Sequence, residues 1–204
     1  MNRTMIFAAC AALSLIAAAC SPGAGGNEQA AGNAQGPLAG ARIGGPFTLT
    51  NQDGQRVTDK DFAGKYRIVY FGYSYCPDVC PVDLQLLMQG LRLFERQDAA
   101  AAAKVQPIFI TVDPARDTPE VLKTYVAAFH PRLVGLTGSE QEIAAAAKAY
   151  AVYYRKAENA GASEYLMDHS RQTYLMGPDG KPIALLPQDE TPQAVAAELA
   201  RWVR

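Results

Sequence analysis

The chain has 204 residues, 49% of them apolar and 19% charged, with a formal net charge of −1. That length and apolar content suit one globular domain with a sizeable core plus terminal extras. The near-neutral balance and the absence of a basic block argue against nucleic acid as a partner.

The N-terminus carries Arg3 and then an apolar stretch from Met5 to Ala19, closing on Ala17-Ala18-Ala19 before Cys20. It is too short to span a bilayer comfortably and ends in small residues, so residues 1–19 read as a secretory signal peptide. A cysteine at the first mature position resembles the exported lipoproteins, whose cysteine carries the acyl chains, although Ala17 stands where leucine is commoner. That resemblance implies lipidation of Cys20 and a membrane-anchored protein on the periplasmic face. Each buried CH₂ of an acyl chain would add about 0.8 kcal/mol to the anchoring. From Ser21 to about Ala41 the chain is Gly, Ala, Asn, Gln and Pro with almost no bulky apolar residue, so residues 20–42 read as the lipidated cysteine and a flexible tether. Of the four cysteines, Cys10 leaves with the signal. Once Cys20 is lipidated, Cys76 and Cys80 are the only free thiols in an oxidising compartment.

The folded domain is expected over residues 43–204. Phe47-Thr48-Leu49-Thr50, a turn at Asn51-Gln52-Asp53-Gly54 and a return through Arg56-Val57 read as a β-hairpin. Arg67-Ile68-Val69-Tyr70-Phe71 is short, rich in β-branched and aromatic residues and bounded by Gly64 and Gly72, the pattern of a buried strand. Leu84, Leu87, Met88, Leu91 and Phe94 then recur at three- and four-residue spacing, one face of an amphipathic helix. Val105 to Val112 is a second buried strand, with Pro107 a mild objection to a central position. Thr118 caps a helix with Pro119 at its first position. Leu133 to Leu136 is a short strand, and Ser139 with Glu142 is a capping box opening a helix through Tyr150. Val152–Arg155, Glu164–Met167, Thr173–Met176 and Ile183–Leu186 are further strand candidates, the last two joined by a turn at Gly177-Pro178-Asp179-Gly180. Thr191-Pro192 caps the final helix, which ends at Trp202. Strands alternating with helices and a closing hairpin make an α/β domain with a mixed sheet.

Chemistry concentrates in Cys76-Pro77-Asp78-Val79-Cys80-Pro81, between the buried strand and the amphipathic helix. Proline is tolerated only in a helix's first turn, so the helix is expected to start near Pro77 or Asp78. Both cysteines then lie around its N-terminal turn, where orphan N–H groups and the positive end of the dipole favour thiolate. Four residues of helix give roughly 6 Å of axial rise, inside the Cα separation a disulfide accepts. The pair could therefore close as a disulfide or present two sulfurs to one metal ion. A structural bridge is the plainer reading, but such bridges gain most by closing long loops and this loop is short. A thiol pair at the start of the helix after a buried strand is the arrangement of thioredoxin-like domains, although periodicity alone does not choose that layout over other α/β folds.

Three separated stretches together resemble the Sco/SenC family of copper-binding assembly factors for cytochrome c oxidase: Tyr70-Phe71-Gly72-Tyr73 leading into Cys76 to Pro81, then Thr111-Val112-Asp113-Pro114-Ala115-Arg116-Asp117-Thr118-Pro119-Glu120, then Asp168-His169-Ser170 with Tyr174-Leu175. The resemblance covers residues from about 43 to 190. It implies a thioredoxin-like fold, here with a mixed central sheet flanked by helices and an N-terminal β-hairpin extension. It also implies one copper ion, Cu(I) or Cu(II), held by Cys76, Cys80 and His169 and delivered to the binuclear copper centre of the oxidase. The implied partners are the copper-accepting oxidase subunit and a periplasmic copper donor or thiol reductant. Cuprous ion favours thiolates and cupric ion favours imidazole in the set, so two Cys and one His suit a carrier of either.

Around those three residues, Asp78 and Asp168 adjoin ligands and could orient them, although a helix-start acid and a turn acid explain them equally well. Asp113 and Asp117 flank Arg116, and a strand-end turn leading into the Thr118 cap explains them more simply than metal contact. His130, beside Pro131 at a helix end, reads as a C-terminal cap or surface residue. Met88, Met167 and Met176 belong to core patterns and read as packing. Tyr73 and Tyr75 could shape the rim of the site, whereas core packing suits Tyr70. The other function class is a thiol–disulfide reductase that uses Cys76 and Cys80 as a redox disulfide on the oxidase subunit or other partners. The C-x-x-x-C spacing departs from the oxidoreductase C-x-x-C, and His169 occupies the region where thioredoxins carry a cis-proline. A thiol peroxidase would want threonine three residues before its cysteine, where Tyr73 and Pro77 stand instead.

Overall fold

Every position from Arg67 to Gly72 is buried, so this strand is covered on both faces, as a strand in the middle of a layered α/β domain must be. The structure is a computed structural model that describes residues 36–157 and 165–204, all within the compact unit Asn33–Arg204. In chain order the strands are β1 (Thr48–Asn51), β2 (Arg56–Thr58), β3 (Tyr66–Gly72), β4 (Val105–Thr111), β5 (Val134–Thr137), β6 (Tyr154–Lys156), β7 (Met167–His169), β8 (Thr173–Met176) and β9 (Pro182–Leu186). The helices are α1 (Val79–Gln97), α2 (Ala99–Ala102), α3 (Pro119–Ala127), α4 (Glu140–Ala149) and α5 (Pro192–Trp202), with a 3-10 turn at Asp59–Phe62. The expected signal peptide, Cys20 and the first part of the expected tether lie outside the described residues. From residue 36 the chain lies against β9, where the Leu38 N–H donates to the Ile183 carbonyl at 2.9 Å.

Seven strands form one mixed sheet in the order β2-β1-β5-β4-β3-β8-β9, and β6 with β7 make a separate two-stranded ribbon. β3 runs parallel to β4, and β4 parallel to β5. β8 runs antiparallel to β3, and β9 antiparallel to β8. The N-terminal hairpin is part of this sheet, because β1 also pairs antiparallel with β5. Pro107 does sit in β4, opposite Ile68 of β3. Pairing with β5 starts only at Ile108 opposite Val134, so at the level of Pro107 the strand has a neighbour on one side only, the edge-like setting a strand proline needs.

α1 buries Leu84, Leu87, Met88, Leu91 and Phe94, the stripe its periodicity predicts. Its first helical residue is Val79, with Asp78 at the N-cap and no capping bond from the Asp78 side chain. Pro81 therefore occupies the third helical position, and Cys76 and Pro77 lie in the loop before the helix. α5 packs on α1 at Gly90, where a Cβ would come within 2.5 Å of Val195 Cβ. The caps at Thr118, Ser139 with Glu142, and Thr191 are formed as the sequence indicates. The short helix α2 has no apolar period to announce it and is started by Asp98, whose side chain accepts from the Ala101 N–H. His130 is buried, only 3% exposed, contrary to its reading as a surface residue, and its N–H caps α3 by donating to the Val126 carbonyl at 3.3 Å. Its Nδ1 accepts the Arg132 N–H at 3.1 Å and its Nε2 lies 3.4 Å from Glu95. No helix among the described residues is long and apolar enough to cross a membrane.

Candidate metal centre

β3 delivers the chain into the loop Tyr73–Asp78, and one carboxylate fixes that loop. Asp117, buried, accepts the Ser74 N–H at 3.0 Å, the Ser74 hydroxyl, and the Thr111 hydroxyl at 2.5 Å. Burial pushes the Asp117 carboxyl above its usual range, and the hydrogen bonds from Ser74 and Thr111 oppose that rise. Cys76 follows in the loop, half-buried, while Cys80 is buried on α1. The Cys80 N–H, one of the helix's free first-turn amides, donates to Cys76 Sγ at 3.4 Å, the environment that favours a thiolate. Gly72 makes room behind the pair, since a Cβ there would lie 3.0 Å from Cys80 Sγ.

His169 arrives on the last residue of β7, opposite Tyr154 of β6. Its ring meets Tyr70 and Tyr73 edge-on, with centroids 6.3 and 6.0 Å away and interplanar angles of 88° and 90°. Nδ1 lies 2.9 Å from the Ser170 carbonyl. A carbonyl can only accept, so Nδ1 is the donor and the neutral ring presents its lone pair on Nε2, the tautomer a metal-ligating Nε2 requires. That lone pair lies 3.2 Å from Cys80 Sγ. Ser170 is itself held, its N–H donating to the Tyr153 carbonyl at 2.9 Å and its hydroxyl accepting the Tyr153 N–H at 3.0 Å.

The two sulfurs and the imidazole nitrogen all lie within 4.8 Å of one another. Metal–thiolate bonds are about 2.3 Å, so two sulfurs sharing one ion sit up to about 4.6 Å apart. The donors therefore lie at separations comparable with those around one shared ion. The two thiols are unequal. A hydrogen bond from the Cys80 side chain holds Cys76 well below the usual thiol range, helped by the Cys80 and Asp78 amides and opposed by burial. Cys80 is pushed up by its hydrogen bond to Cys76 and by burial, and keeps its proton. Uptake of a soft ion would expel that proton, because the metal ligand is thiolate.

The four acids fall into two groups. Asp78 is exposed at the helix start, and Asp168 is exposed and paired with Arg155 at 3.0 Å, one pleat away from His169. Asp113 and Asp117 are buried and act on the segments that bring the donors. Asp113 accepts from Arg116 and from the Tyr165 hydroxyl at 2.6 Å. The Arg116 guanidinium lies over the rings of Tyr165 at 3.7 Å and Tyr75 at 4.9 Å, tying the residues before His169 to those before Cys76. Met88, Met167 and Met176 are buried core residues. Sequence reasoning missed Asp83, which is fully buried three residues after Cys80 and accepts from Tyr70 and Arg171. An acid on a helix's apolar face is a signal in itself, since a buried carboxylate needs partners.

A mixed sheet flanked by helices, with a thiol pair where a central parallel strand passes into the helix after it, defines a thioredoxin-like domain, here with a histidine beside the thiols. The SCO1/SenC family model matches residues 35–204. The chain is 40% identical over 162 residues to the mitochondrial protein SCO1 homolog of Homo sapiens, covering 79% of this chain and 53% of that one. It is 47% identical over 158 residues to protein SenC of Rhodobacter capsulatus, covering 78% and 69%. Against the first of these the chain spans about half the relative's length. Among solved structures, Bradyrhizobium japonicum ScoI with copper bound superposes with a TM-score of 0.71 at 43% identity, covering 79% of this chain and 99% of that one. Arabidopsis thaliana ScoI with copper bound gives 0.73 at 41% identity, covering 78% and 97%. The chain belongs to the SCO1/SenC family.

Proposed function

We propose that the protein is a copper metallochaperone that binds one ion through Cys76 Sγ, Cys80 Sγ and His169 Nε2 and delivers it to the copper-accepting subunit of cytochrome c oxidase. The convergence of the three donors within 4.8 Å carries this reading, and the copper-bound relatives named above support it. The donor set suits a carrier. Two thiolates satisfy Cu(I), the imidazole completes a set acceptable to Cu(II), and only three protein atoms hold the ion, so an incoming ligand from the acceptor can begin the exchange. Export, lipidation of Cys20 and a place on the periplasmic face of a membrane belong to the same proposal.

A thiol–disulfide exchange role is the second reading. A half-buried Cys76 held towards thiolate beside a buried Cys80 is an attacking thiol with a resolving partner. Titration of the reduced protein with copper against a competing chelator, for wild type and for Cys76→Ser, Cys80→Ser and His169→Ala, separates the two. Loss of a partner that merely orients a ligand costs about 10–100-fold in affinity. His169→Ala, which loses a ligand, is expected to weaken Cu(II) binding by at least about a hundredfold and to change its visible spectrum, with disulfide reduction nearly intact. Failure of the wild type to take up one equivalent, with rapid turnover of a disulfide substrate, would replace the carrier by the reductase.

A further inference from the structure

The carboxylate of Asp83 is 0% exposed, yet it meets a guanidinium that is 43% exposed. Arg171 Nε donates to Asp83 Oδ2 at 3.1 Å and Nη2 to Oδ1 at 2.7 Å. The Tyr70 hydroxyl adds a third bond to Oδ2 at 2.9 Å. The fork-on-fork arrangement fixes direction as well as distance. Asp83 follows Cys80 by three residues and shares its face of α1. Arg171 follows His169 by two. One ion pair therefore joins the two pieces of chain that carry Cys80 and His169, and the Tyr70 ring that completes it also lies edge-on to the His169 imidazole.

Such a bridge has work to do at this place. His169 stands on the β6–β7 ribbon, which shares no ladder with the seven-stranded sheet, and pairing with β3 resumes only at Thr173, opposite Tyr70. Between those points the Tyr153–Ser170 bonds hold the backbone to the residue just before β6, and the Asp83–Arg171 pair holds it to α1. Buried ion pairs add little stability over well-packed apolar residues, and their best-attested use is to fix one arrangement among several. Resting on the copper reading above, we propose that Asp83 and Arg171 are positioning residues whose ion pair holds His169 Nε2 at coordinating distance from the Cys80 sulfur.

The consequence is selective. The two sulfurs come from α1 and the loop before it and meet the pair only through the Tyr70 hydroxyl, which also bonds Cys80, whereas the chain carrying the imidazole is held by the pair directly. Cu(I) is satisfied by thiolates and Cu(II) draws on the imidazole, so loss of the pair falls mainly on Cu(II).

The test compares wild type with Asp83→Asn, which keeps an acceptor for Tyr70, and with Asp83→Asn/Arg171→Met, which removes the guanidinium without leaving a buried charge behind. Arg171→Lys serves as the conservative rescue. The double variant is expected to bind Cu(II) about 10–100-fold more weakly with a shifted thiolate-to-copper absorption band, while Cu(I) affinity changes much less. Arg171→Lys is expected to fall between. In the metal-free protein, the His169 ring NMR signals of the double variant are expected to show increased motion. A folded double variant with wild-type Cu(II) affinity, spectrum and ring dynamics would overturn the inference, and so would an equal loss for both oxidation states. Wild type that takes up no copper would instead refute the preceding proposal, and the metal-free ring dynamics would still decide for or against the clamp.

Discussion

Replacing Asp117 by alanine removes the carboxylate that shapes the loop ahead of Cys76. Three donors lose their acceptor: the Ser74 N–H, the Ser74 hydroxyl and the Thr111 hydroxyl. Hydrogen bonds to a charged group contribute about 1.5–3 kcal/mol each, and a buried donor left unpaired costs about 1–3 kcal/mol. The hydroxyls can turn to other acceptors, but the Ser74 amide cannot. Against this, burial raises the Asp117 carboxyl above its usual range, so removing the charge relieves some desolvation. The net loss is expected to be about 3 kcal/mol, read from urea unfolding of the reduced, metal-free protein at pH 7. Asp117→Asn keeps the shape and one carbonyl for Ser74, while its amide can donate to Thr111, and should lose less than about half as much. Alkylation of Cys76 should quicken in the alanine variant and stay near wild type in the asparagine variant. The argument fails if alanine costs under about 1 kcal/mol, or if asparagine is as damaging as alanine.

Gly72→Ala would put a Cβ 2.9 Å from Tyr70 Cε1, 3.0 Å from Cys80 Sγ and 3.1 Å from Phe109 Cε2. Overpacking of this kind costs about 1–3 kcal/mol. It should lower the melting temperature and weaken copper binding together, and wild-type affinity in the folded variant would show that Cys80 has slack. At the other end of the sheet, Glu142 closes the α4 capping box and pairs with Arg56, and these bonds lower its carboxyl from 4.5 to about 2. A depressed carboxylate contributes its full stability above the unfolded value and loses it as pH falls through the folded one. Glu142→Gln should therefore be less stable than wild type by about 0.5–1 kcal/mol at pH 7, a value discounted for solvent exposure. The gap should close between pH 4.5 and about 2, and a gap that persists in denaturant melts below that window would refute the assignment.

The layered fold was legible because its signals are local. The α1 stripe, the caps at Thr118, Ser139 and Thr191, and the Asn51–Gly54 turn each occupy a few adjacent residues. The start of α1 was harder to place, since Pro77 and Pro81 are both compatible with a first helical turn. The structure keeps only Pro81 inside, leaving Cys76 in the loop. The strand expected over Glu164–Met167 leaves His169 outside, yet His169 ends β7, because β7 is defined by its pairing with β6 rather than by its own three residues. The spacing of Cys76 and Cys80 left disulfide and metal both open, and only resemblance added the histidine. The Asp83–Arg171 bridge spans 88 residues, and no local pattern announces such a partner. The burial of His130 was missed for the same reason, since Glu95 becomes its neighbour only after folding.

The imidazole rides on a pair of three-residue strands lying outside the main sheet, whereas the sulfurs are rooted against the hydrophobic interior. The two halves of the donor set thus stand on separate pieces of backbone, coupled through the Asp83–Arg171 pair and the Arg116 contacts. Exchanging that small ribbon with Arg171 and Tyr165 kept would retune which oxidation state the protein prefers through the imidazole, with the folded core left as it is. An engineer seeking a family of carriers graded in their taste for cupric over cuprous ion would find the adjustable part already partitioned from the frame.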